Sequence, residues 1–395
     1  MNPPSTYDII VVGAGPAGSL TARTAAEHGA NVLIIEEHEQ AGTPVYCAEA
    51  LGMSGFIESG LEPVEPLIAQ KINKVKVIAP NGKIVAITHK EIEGYILNRE
   101  HFDKALADKA EEAGAEMMNN TKALEVIKEG GVVVGVKAKR GGEEFELRAK
   151  LVVGADGHAS VIRRNAGLKR YFDDYGITAQ WTVTDINLDE PDASEIYVGS
   201  VVPGAYVWVF PKGKTVANIG LGIRHDKSRP AIQVLDDFIA NDPRFRDGKK
   251  IRKTGGICPS TGTLEKIVDD GLMLVGDAAG MVVPLSGAGI HTSITAGRIA
   301  GKVAANAVRE DNVSVERLAE YHRLFEEAWG KNLRDSRRML DLADKLTDDD
   351  MNRVADTIHQ EDILDIVNGR NIIKTSVKIA LRDPLFSLRF VGKLL

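Results

Sequence analysis

The sequence predicts an α/β protein with a parallel main sheet, and the clearest sign lies within the first forty residues. Residues 7–37, YDIIVVGAGPAGSLTARTAAEHGANVLIIEE, have the pattern strand, glycine turn, helix, strand. The runs at 9–12 and 32–35 are wholly apolar, as strands buried on both faces must be. A length of 395 residues is more than one ordinary core can use and fits about two or three domains.

The glycine turn between these strands predicts a dinucleotide site. Gly13, Gly15 and Gly18 form GxGxxG. In this motif the first glycine permits the tight turn, the second lets a pyrophosphate approach, and the third lets helix and strand pack closely. The helix then directs its first amides, next to Ala17, at the phosphate. Glu36 ends the second strand, where a carboxylate accepts the ribose hydroxyls of an adenosine half. The strand before the turn, the helix after it and the carboxylate of Glu36 together argue against a glycine-rich turn of another kind.

Two later segments suggest that the dinucleotide is FAD. Residues 97–116 have apolar positions at helical spacing, and Arg99 opens that helix, where a cation opposes the helix dipole. This arginine is either reserved for a ligand or an ordinary surface residue. Residues 151–164 contain another apolar strand, which breaks at Asp156 between glycines.

A third segment, residues 271–301, combines an apolar strand, a loop and a long helix of small residues. Asp277 follows the strand, where it could hold a ribityl hydroxyl. The turn with Gly287, Gly289 and Ile290 starts the helix, whose amides could face the N1/O2 edge of a flavin, where negative charge grows on reduction.

Composition excludes several classes of protein. The net charge of −7, without a basic and aromatic cluster, disfavours nucleic-acid binding. The first residues lack the features of a signal peptide, and no run of about 18 apolar residues predicts a membrane span. Two cysteines indicate a reducing cytoplasm, and the scattered histidines, without HExxH or paired CxxC motifs, predict no metal site.

With these motifs in place, the chain resembles the para-hydroxybenzoate hydroxylase superfamily of flavoproteins. Within it, residues 7–330 resemble the geranylgeranyl reductase family, in particular the archaeal digeranylgeranylglycerophospholipid reductases. Two specific matches are CAEA at 47–50 and PGAYVWVFPKG at 203–213, which is similar to the family's PxxYxWxFPKG. The family often has Cys-Gly-Glu where this chain has Cys47-Ala48-Glu49.

The resemblance implies a Rossmann-like FAD-binding domain, an antiparallel-sheet substrate domain and a C-terminal helical region. We place the FAD-binding domain at 1–170 and 255–310, the substrate domain at 171–254 with part of 60–95, and the helical region at 311–395. FAD is the implied cofactor. Beyond the glycine turns and strand ends, the implied FAD contacts are Cys47, Ala48, Ala50 and Ala123.

The aromatic motif also has an interpretation of its own. Tyr206, Trp208 and Phe210 alternate with valines, so on a strand they share one face. Three aromatics form a broad apolar wall, either as an ordinary sheet core or as the lining of a prenyl-chain site. Strand-like segments around them predict an antiparallel sheet, and the resemblance favours the substrate-lining role.

Cys47 has three interpretations. It is a small buried apolar residue, a disulfide partner of Cys258, or a thiol beside the flavin, as the resemblance implies. Reduction of an isolated alkene takes a hydride on one carbon and a proton on the other, so a placed acid would help. Cys47, a water molecule or Tyr206 could supply that proton, and our hypothesis gives a catalytic role to Cys47.

Residues after about 310 read as helices, and 372–395 form an apolar and basic tail that Pro384 interrupts. The tail is too short and too charged to span a bilayer but could lie on one. The alternative is a terminal helix docked on the protein. A lipid substrate favours peripheral contact with the inner face of the cell membrane by an otherwise cytoplasmic protein.

The predicted function is therefore an FAD-dependent reductase that saturates isolated double bonds of geranylgeranyl chains in lipid precursors, with hydride from flavin N5. The prenylated lipid is the substrate partner. No second GxGxxG unit predicts a nicotinamide domain, and Gly52, five residues after Cys47, rules out the CxxxxC of disulfide reductases. An external donor, NAD(P)H, ferredoxin or a similar reductant, is needed. The alternatives are a flavin monooxygenase, a quinone-linked flavoprotein and a non-enzymatic prenyl-binding protein.

Overall fold

The computed structural model describes residues 6–88, 94–202, 204–226, 229–359, 362 and 372–383. The strands are β1 (Tyr7–Val12), β2 (Val32–Ile35), β3 (Ala50–Gly52), β4 (Ile68–Ile72), β5 (Lys74–Ile78), β6 (Ile84–Thr88), β7 (Gly94–Leu97), β8 (Glu116–Met118), β9 (Lys122–Glu129), β10 (Val132–Arg140), β11 (Glu143–Gly154), β12 (Tyr175–Thr184), β13 (Ala193–Tyr197), β14 (Val207–Pro211), β15 (Val216–Arg224), β16 (Lys249–Pro259), β17 (Val268–Asp269) and β18 (Leu272–Leu274). The helices are α1 (Pro16–Glu27), α2 (Met53–Ser59), α3 (Arg99–Glu112), α4 (Val161–Asn165), α5 (Ala231–Asn241), α6 (Ile290–Arg309), α7 (Val315–Phe325), α8 (Lys331–Ala343), α9 (Asp348–Thr357) and α10 (Ile372–Arg382).

The first sheet confirms the predicted α/β class. Its strand order is β17-β18-β11-β1-β2-β8, and β1 pairs in parallel with both β11 and β2. Helices α1 and α6 pack together closely, because Gly297 and Gly301 of α6 stand directly against the backbone of α1 at Ala17 and Thr21. The small residues predicted for this long helix therefore allow two helix backbones to approach each other.

The second sheet has the order β16-β12-β15-β14-β13-β5-β6. The pairs from β16 to β13 are antiparallel, as predicted, but β5 joins β13 in parallel and brings the β5–β6 hairpin into the sheet. Residues 255–259, which we assigned to the FAD-binding domain, continue β16 because their pairing with β12 runs unbroken to Pro259.

Helix α5 covers one face of the second sheet, where Val234, Leu235 and Ile239 join its apolar core. The opposite face carries Trp208 and Phe210, which pack against strands β4 and β7 of a small third sheet. This second face therefore closes one side of the space between the sheets.

The described C-terminal residues are mostly helical, as predicted. Thr347 and Asp350 form a capping box at the start of α9. Helix α10 contacts α8 and α9; Thr375 and Ile379 are buried, whereas Leu381 is 71 % exposed. Tail residues 384–395 lie outside the described residues. In the described part of the chain, no helix is long and apolar enough to cross a membrane.

Candidate active site

A cavity of about 1520 Å³ lies between the two large sheets. It collects residues from segments far apart in sequence. All the cofactor and substrate residues predicted from the sequence line it except Gly18; they are Gly13, Gly15, Ala17, Glu36, Cys47, Ala48, Ala50, Arg99, Ala123, Asp156, Tyr206, Trp208, Phe210, Asp277, Gly287, Gly289 and Ile290.

The three glycines of the first turn have three different environments. Gly13 has a φ of 101°, and a side chain there would strike the backbone of Ala155. A side chain on Gly18 would collide with the carbonyl of Gly13. Gly15 has an ordinary φ of −69°, and nothing lies within 4 Å of where its Cβ would stand. Neither backbone conformation nor protein packing requires glycine at position 15, so the space beside it suits a pyrophosphate.

The start of α1 faces the same space. No described side chain caps this helix, and its first turn contains no acidic residue, so its first amides are available to a phosphate. The Glu36 carboxylate accepts hydrogen bonds from the amides of Ala14 (2.9 Å) and His38 (3.0 Å). These bonds fix the carboxylate at the cavity wall, where it can accept ribose hydroxyls.

Asp156 has a structural use that the sequence did not indicate. Its carboxylate accepts hydrogen bonds from Ser160 Oγ (2.6 Å) and the amide of Ile162 (3.0 Å), which hold the start of α4. Ala123 lies on β9 and lines the cavity together with Thr121 and Lys122.

The second glycine turn places Asp277 against the start of α6. Its Oδ1 lies 3.2 Å from where a Cβ on Gly289 would stand, so glycine makes room for the carboxylate. Burial raises the pKa of Asp277, while His158 and Arg99 oppose that rise. No described side chain caps α6, so its first amides also face the cavity.

Arg99 is not a free cation. Its guanidinium donates to both carboxylate oxygens of Asp103, each at 2.6 Å, on the next turn of α3. It still lines the cavity and lowers the pKa of the Cys47 thiol, whose burial raises that pKa more strongly. The arginine predicted for a ligand is therefore held in place by a partner on its own helix.

Cys47 and Cys258 both line the cavity, and both thiols are free. Cys47 Sγ accepts a hydrogen bond from the amide of Glu49 at 3.2 Å. Burial raises the pKa of Cys258 to about 12. Burial also raises the pKa of Tyr206 well above its ordinary value, and its hydroxyl donates to the carbonyl of Ser286.

Glu49 connects the Cys47 loop to three other segments. This residue is 1 % exposed and has a φ of 74°. Its carboxylate accepts hydrogen bonds from the amide of Arg99 (3.1 Å), Lys212 Nζ (2.7 Å) and Asn218 Nδ2 (2.7 Å). A buried carboxylate with these partners fixes the loop relative to α3 and the second sheet.

Gln180 links the aromatic wall to the same loop. Its Oε1 accepts from Trp208 Nε1 at 2.8 Å, and its Nε2 donates to the carbonyl of Cys47 at 3.1 Å. Gly220, on the neighbouring strand, leaves room for the Trp208 ring, which a side chain there would strike. The indole is therefore fixed in orientation within the wall.

Sequence reasoning missed Gln180, Asn218 and the pair His291–Glu58, whose Nε2–Oε2 distance is 2.9 Å at the cavity wall. These residues stand on separate elements, and no spacing in the sequence relates them. Lys212 belongs to the PGAYVWVFPKG motif at 203–213, and this motif was the available sequence signal for its place in the site. Among the residues that the structure describes, no three His, Cys, Asp or Glu side chains form a metal-binding group.

The fold and the site define an FAD-dependent oxidoreductase. A family model for FAD dependent oxidoreductases matches residues 8–182, and a model for the geranylgeranyl reductase catalytic domain matches residues 174–258. These matches confirm the enzyme class and the FAD cofactor that the sequence predicts.

The chain belongs to the digeranylgeranylglycerophospholipid reductase family. It is 40 % identical to the enzyme of that name from Methanocella arvoryzae, over 98 % of this chain and 99 % of the relative. Identity to digeranylgeranylglycerophospholipid reductase 2 of Methanopyrus kandleri is 38 %, over 96 % and 97 % of the two chains. The family resemblance is thereby confirmed.

Solved structures agree with this assignment. A geranylgeranyl bacteriochlorophyll reductase-like protein from Thermoplasma acidophilum superimposes with a TM-score of 0.91 and 32 % identity, over 99 % of this chain and 100 % of that one. The flavin-dependent brominase Bmp2 has a TM-score of 0.72 at 20 % identity, over 98 % of this chain and 94 % of that one. At this identity the similarity shows the fold alone.

Proposed function

We propose that this FAD-dependent reductase saturates isolated double bonds in the geranylgeranyl chains of membrane-lipid precursors. The observation that supports this most directly is the wall formed by Tyr206, Trp208 and Phe210, which lies in one cavity with the dinucleotide turns. An apolar wall suits a prenyl chain, because such a chain binds mainly through burial of its apolar surface. The relatives' names indicate the same class of substrate.

The residues present fit FAD. The space beside Gly15 and the uncapped start of α1 would hold the pyrophosphate, and Glu36 would hold the adenosine ribose. Asp277 and the start of α6 would hold the ribityl and isoalloxazine parts. When bound and reduced, FAD supplies the hydride for alkene reduction.

The chain's own residues position the substrate and supply the proton. The aromatic wall orients the prenyl chain and shields that side of it from water. Cys47 would hold the proton at Sγ, since burial raises its pKa and keeps the thiol protonated near neutral pH. The Glu49 amide donates to Cys47 Sγ and Gln180 Nε2 donates to the Cys47 carbonyl, and these two bonds hold the residue in place.

The substrate also implies a reductant and a lipid source. The donor would be an external one, NAD(P)H, ferredoxin or a similar reductant, because the sequence carries no second dinucleotide motif. The segment from residue 372 onward would make peripheral contact with the inner face of the membrane. The exposed side chains of Val377 and Leu381 on α10 support this proposal.

The deciding experiment is anaerobic turnover. Chemically reduced protein is mixed with a geranylgeranyl lipid, and the products are weighed by mass spectrometry. Gains in steps of about two mass units, one per saturated bond, are expected. Bound and reduced flavin with no mass change would contradict the proposal. Oxygen-dependent gain of a hydroxyl would favour a monooxygenase instead.

A further inference from the structure

The wall of the main cavity reaches the protein surface beside its aromatic part. Two of the large apolar side chains in that wall are exposed, Tyr46 (67 %) and Ile257. The residue after Ile257 is Cys258, which meets Tyr206 at the Gly287 turn. A Cβ on Gly287 would stand 3.4 Å from Cys258 Sγ and 3.9 Å from Tyr206 Oη. The exposed part of the wall therefore adjoins the aromatic residues proposed to hold the prenyl chain.

Strand β16 forms the outer side of this opening. It is the last strand of the second sheet, and among the described strands it pairs with β12 alone. Ile251 on β16 is 57 % exposed, and Ile177, the partner of Ile257 on β12, is also exposed. Tyr46 belongs to the same surface, because it lines a smaller second cavity of about 700 Å³ together with Ile177 and Lys253. Four apolar side chains thus stand exposed along one stretch of the sheet edge.

The same strand carries cations that the protein does not neutralise. Lys249 and Lys253 are exposed and form no ion pair with any described residue, and Lys253 Nζ lies 5.9 Å from the Trp181 ring. Lys250 and Arg252, by contrast, are paired with carboxylates. The whole chain has a net charge of −7, so two unpaired lysines among exposed apolar residues form a local basic surface on an acidic protein. We call this surface the β16 rim; its members are Tyr46, Ile177, Lys249, Ile251, Lys253 and Ile257.

The composition of the β16 rim suits a membrane surface. Apolar side chains can enter the boundary between head groups and acyl chains, and lysines beside them are attracted to anionic lipids. A tyrosine ring has an apolar body and a polar tip, which fit the same boundary. An acidic soluble protein would be attracted to the lysines but would leave the isoleucines without a function. The rim therefore favours an anionic bilayer over an acidic protein partner.

We propose that the β16 rim docks on an anionic membrane and opens the main cavity directly to the lipid layer. This inference rests on the proposed lipid substrate and adds the surface through which the enzyme reaches it. A prenyl chain that moves from the bilayer across the rim to the aromatic wall never exposes its apolar surface to water. The rim lies on a different element from α10, which packs against α8 and α9.

Vesicle flotation tests the charge of the rim. The oxidised, FAD-loaded, full-length enzyme is mixed with vesicles of phosphatidylcholine containing about one third phosphatidylglycerol. Lys249→Gln combined with Lys253→Gln should lower the partition coefficient about tenfold, and both enzymes should bind pure phosphatidylcholine equally. Lys139→Gln combined with Lys302→Gln is the matched control, because these exposed lysines lie on β10 and α6. The control should bind like the wild type.

A second variant tests the apolar part of the rim. Tyr46→Ser combined with Ile251→Ser should lower the partition coefficient about tenfold on both kinds of vesicle, because it removes apolar surface that enters the bilayer. Both side chains are mostly exposed, so the melting temperature should not change. Wild-type binding by both rim variants would overturn the proposal. Loss of binding only in Val377→Ser combined with Leu381→Ser would overturn it too, since α10 would then be the membrane contact.

Turnover separates the rim from the proposed reaction. The lysine variant should reduce a geranylgeranyl lipid in neutral detergent micelles at the wild-type rate, and the same lipid in anionic vesicles about tenfold more slowly. Weaker vesicle binding by an enzyme that reduces neither form would support the rim and reject the reductase. Wild-type binding and wild-type rates on vesicles would reject the rim and keep the reductase. Wild-type vesicle binding with slower flavin reduction by an acidic donor protein would assign the lysines to that donor and overturn the membrane proposal.

Discussion

At the scale of single residues, Cys47 carries the clearest chemical prediction. If its thiol donates the proton, the group must be protonated for turnover. Burial raises its pKa above the ordinary value of 9.0, so the rate constant should stay flat up to pH 9 and fall only above it. Cys47→Ser should slow single-turnover alkene reduction about 100-fold and abolish this alkaline fall, with unchanged flavin content.

Cys258→Ser is the matched control, because this thiol lines the same cavity and is likewise partly buried. It should leave the rate and its pH profile unchanged. If Cys47→Ser turns over as fast as the wild type, the proton must come from water or from Tyr206 instead.

Glu49 carries a prediction about stability. Glu49→Gln removes the anion beside Lys212, whose side chain is only 14 % exposed, and leaves that cation buried without a charged acceptor at hydrogen-bond distance. The free energy of unfolding in urea should fall by about 3 kcal/mol. Glu190→Gln should cost less than about 1 kcal/mol, since Glu190 pairs with Lys74 and Lys76 but is 39 % exposed. Equal losses of unfolding free energy in the two variants would show that burial does not determine the strength of these ion pairs.

At the scale of elements, the sequence predicted what local patterns encode. Strand β2 and the start of α1 follow from apolar runs and GxGxxG, and both lie where these patterns place them. The resemblance placed part of 60–95 in the substrate domain, but no local pattern predicted how it joins, because the parallel pairing of β5 with β13 links residues more than 100 positions apart. Gln180 and Asn218 were missed for the same reason, since their roles arise from contacts across strands.

The first glycine turn offers a comparison within one element. Gly15→Ala should fold with an unchanged melting temperature in the absence of FAD, because its φ is ordinary and its Cβ would meet nothing. Its FAD content after purification should fall at least tenfold, since the methyl group occupies the space proposed for the pyrophosphate. Circular dichroism and flavin absorbance measure the two effects.

Gly18→Ala is the contrasting variant. Its Cβ would collide with the carbonyl of Gly13, so the protein should lose about 2–3 kcal/mol of stability. Full FAD binding by Gly15→Ala would mean that the pyrophosphate lies elsewhere.

At the scale of the whole molecule, the site belongs to no single segment. The cavity wall joins the loop at 43–50, the second sheet and the start of α6, so its shape depends on how the two large sheets face each other. Sequence motifs identified only part of the wall, mainly residues at strand ends and glycine turns such as Gly15, Glu36 and Asp277. The i,i+4 spacing of Arg99 and Asp103 on the predicted helix was a sequence signal for their ion pair, whereas the second cavity is formed by strands far apart in sequence.

Because FAD would contact both sides of this cavity, its removal should lower the stability of the whole folded protein. A ligand that binds only the folded state adds about 2.7 kcal/mol at 100 times its dissociation constant, which corresponds to a melting temperature about 5 °C higher. Removing FAD should reverse this shift and raise amide hydrogen exchange at residues 43–50, while β1 stays protected. Adding FAD back to the wild type should restore the melting temperature and the slow amide exchange of residues 43–50. In Gly15→Ala, neither removal nor addition of FAD should change these two quantities. Unchanged exchange at 43–50 would place the Cys47 loop outside the cofactor's contacts and weaken the proposed role of its thiol.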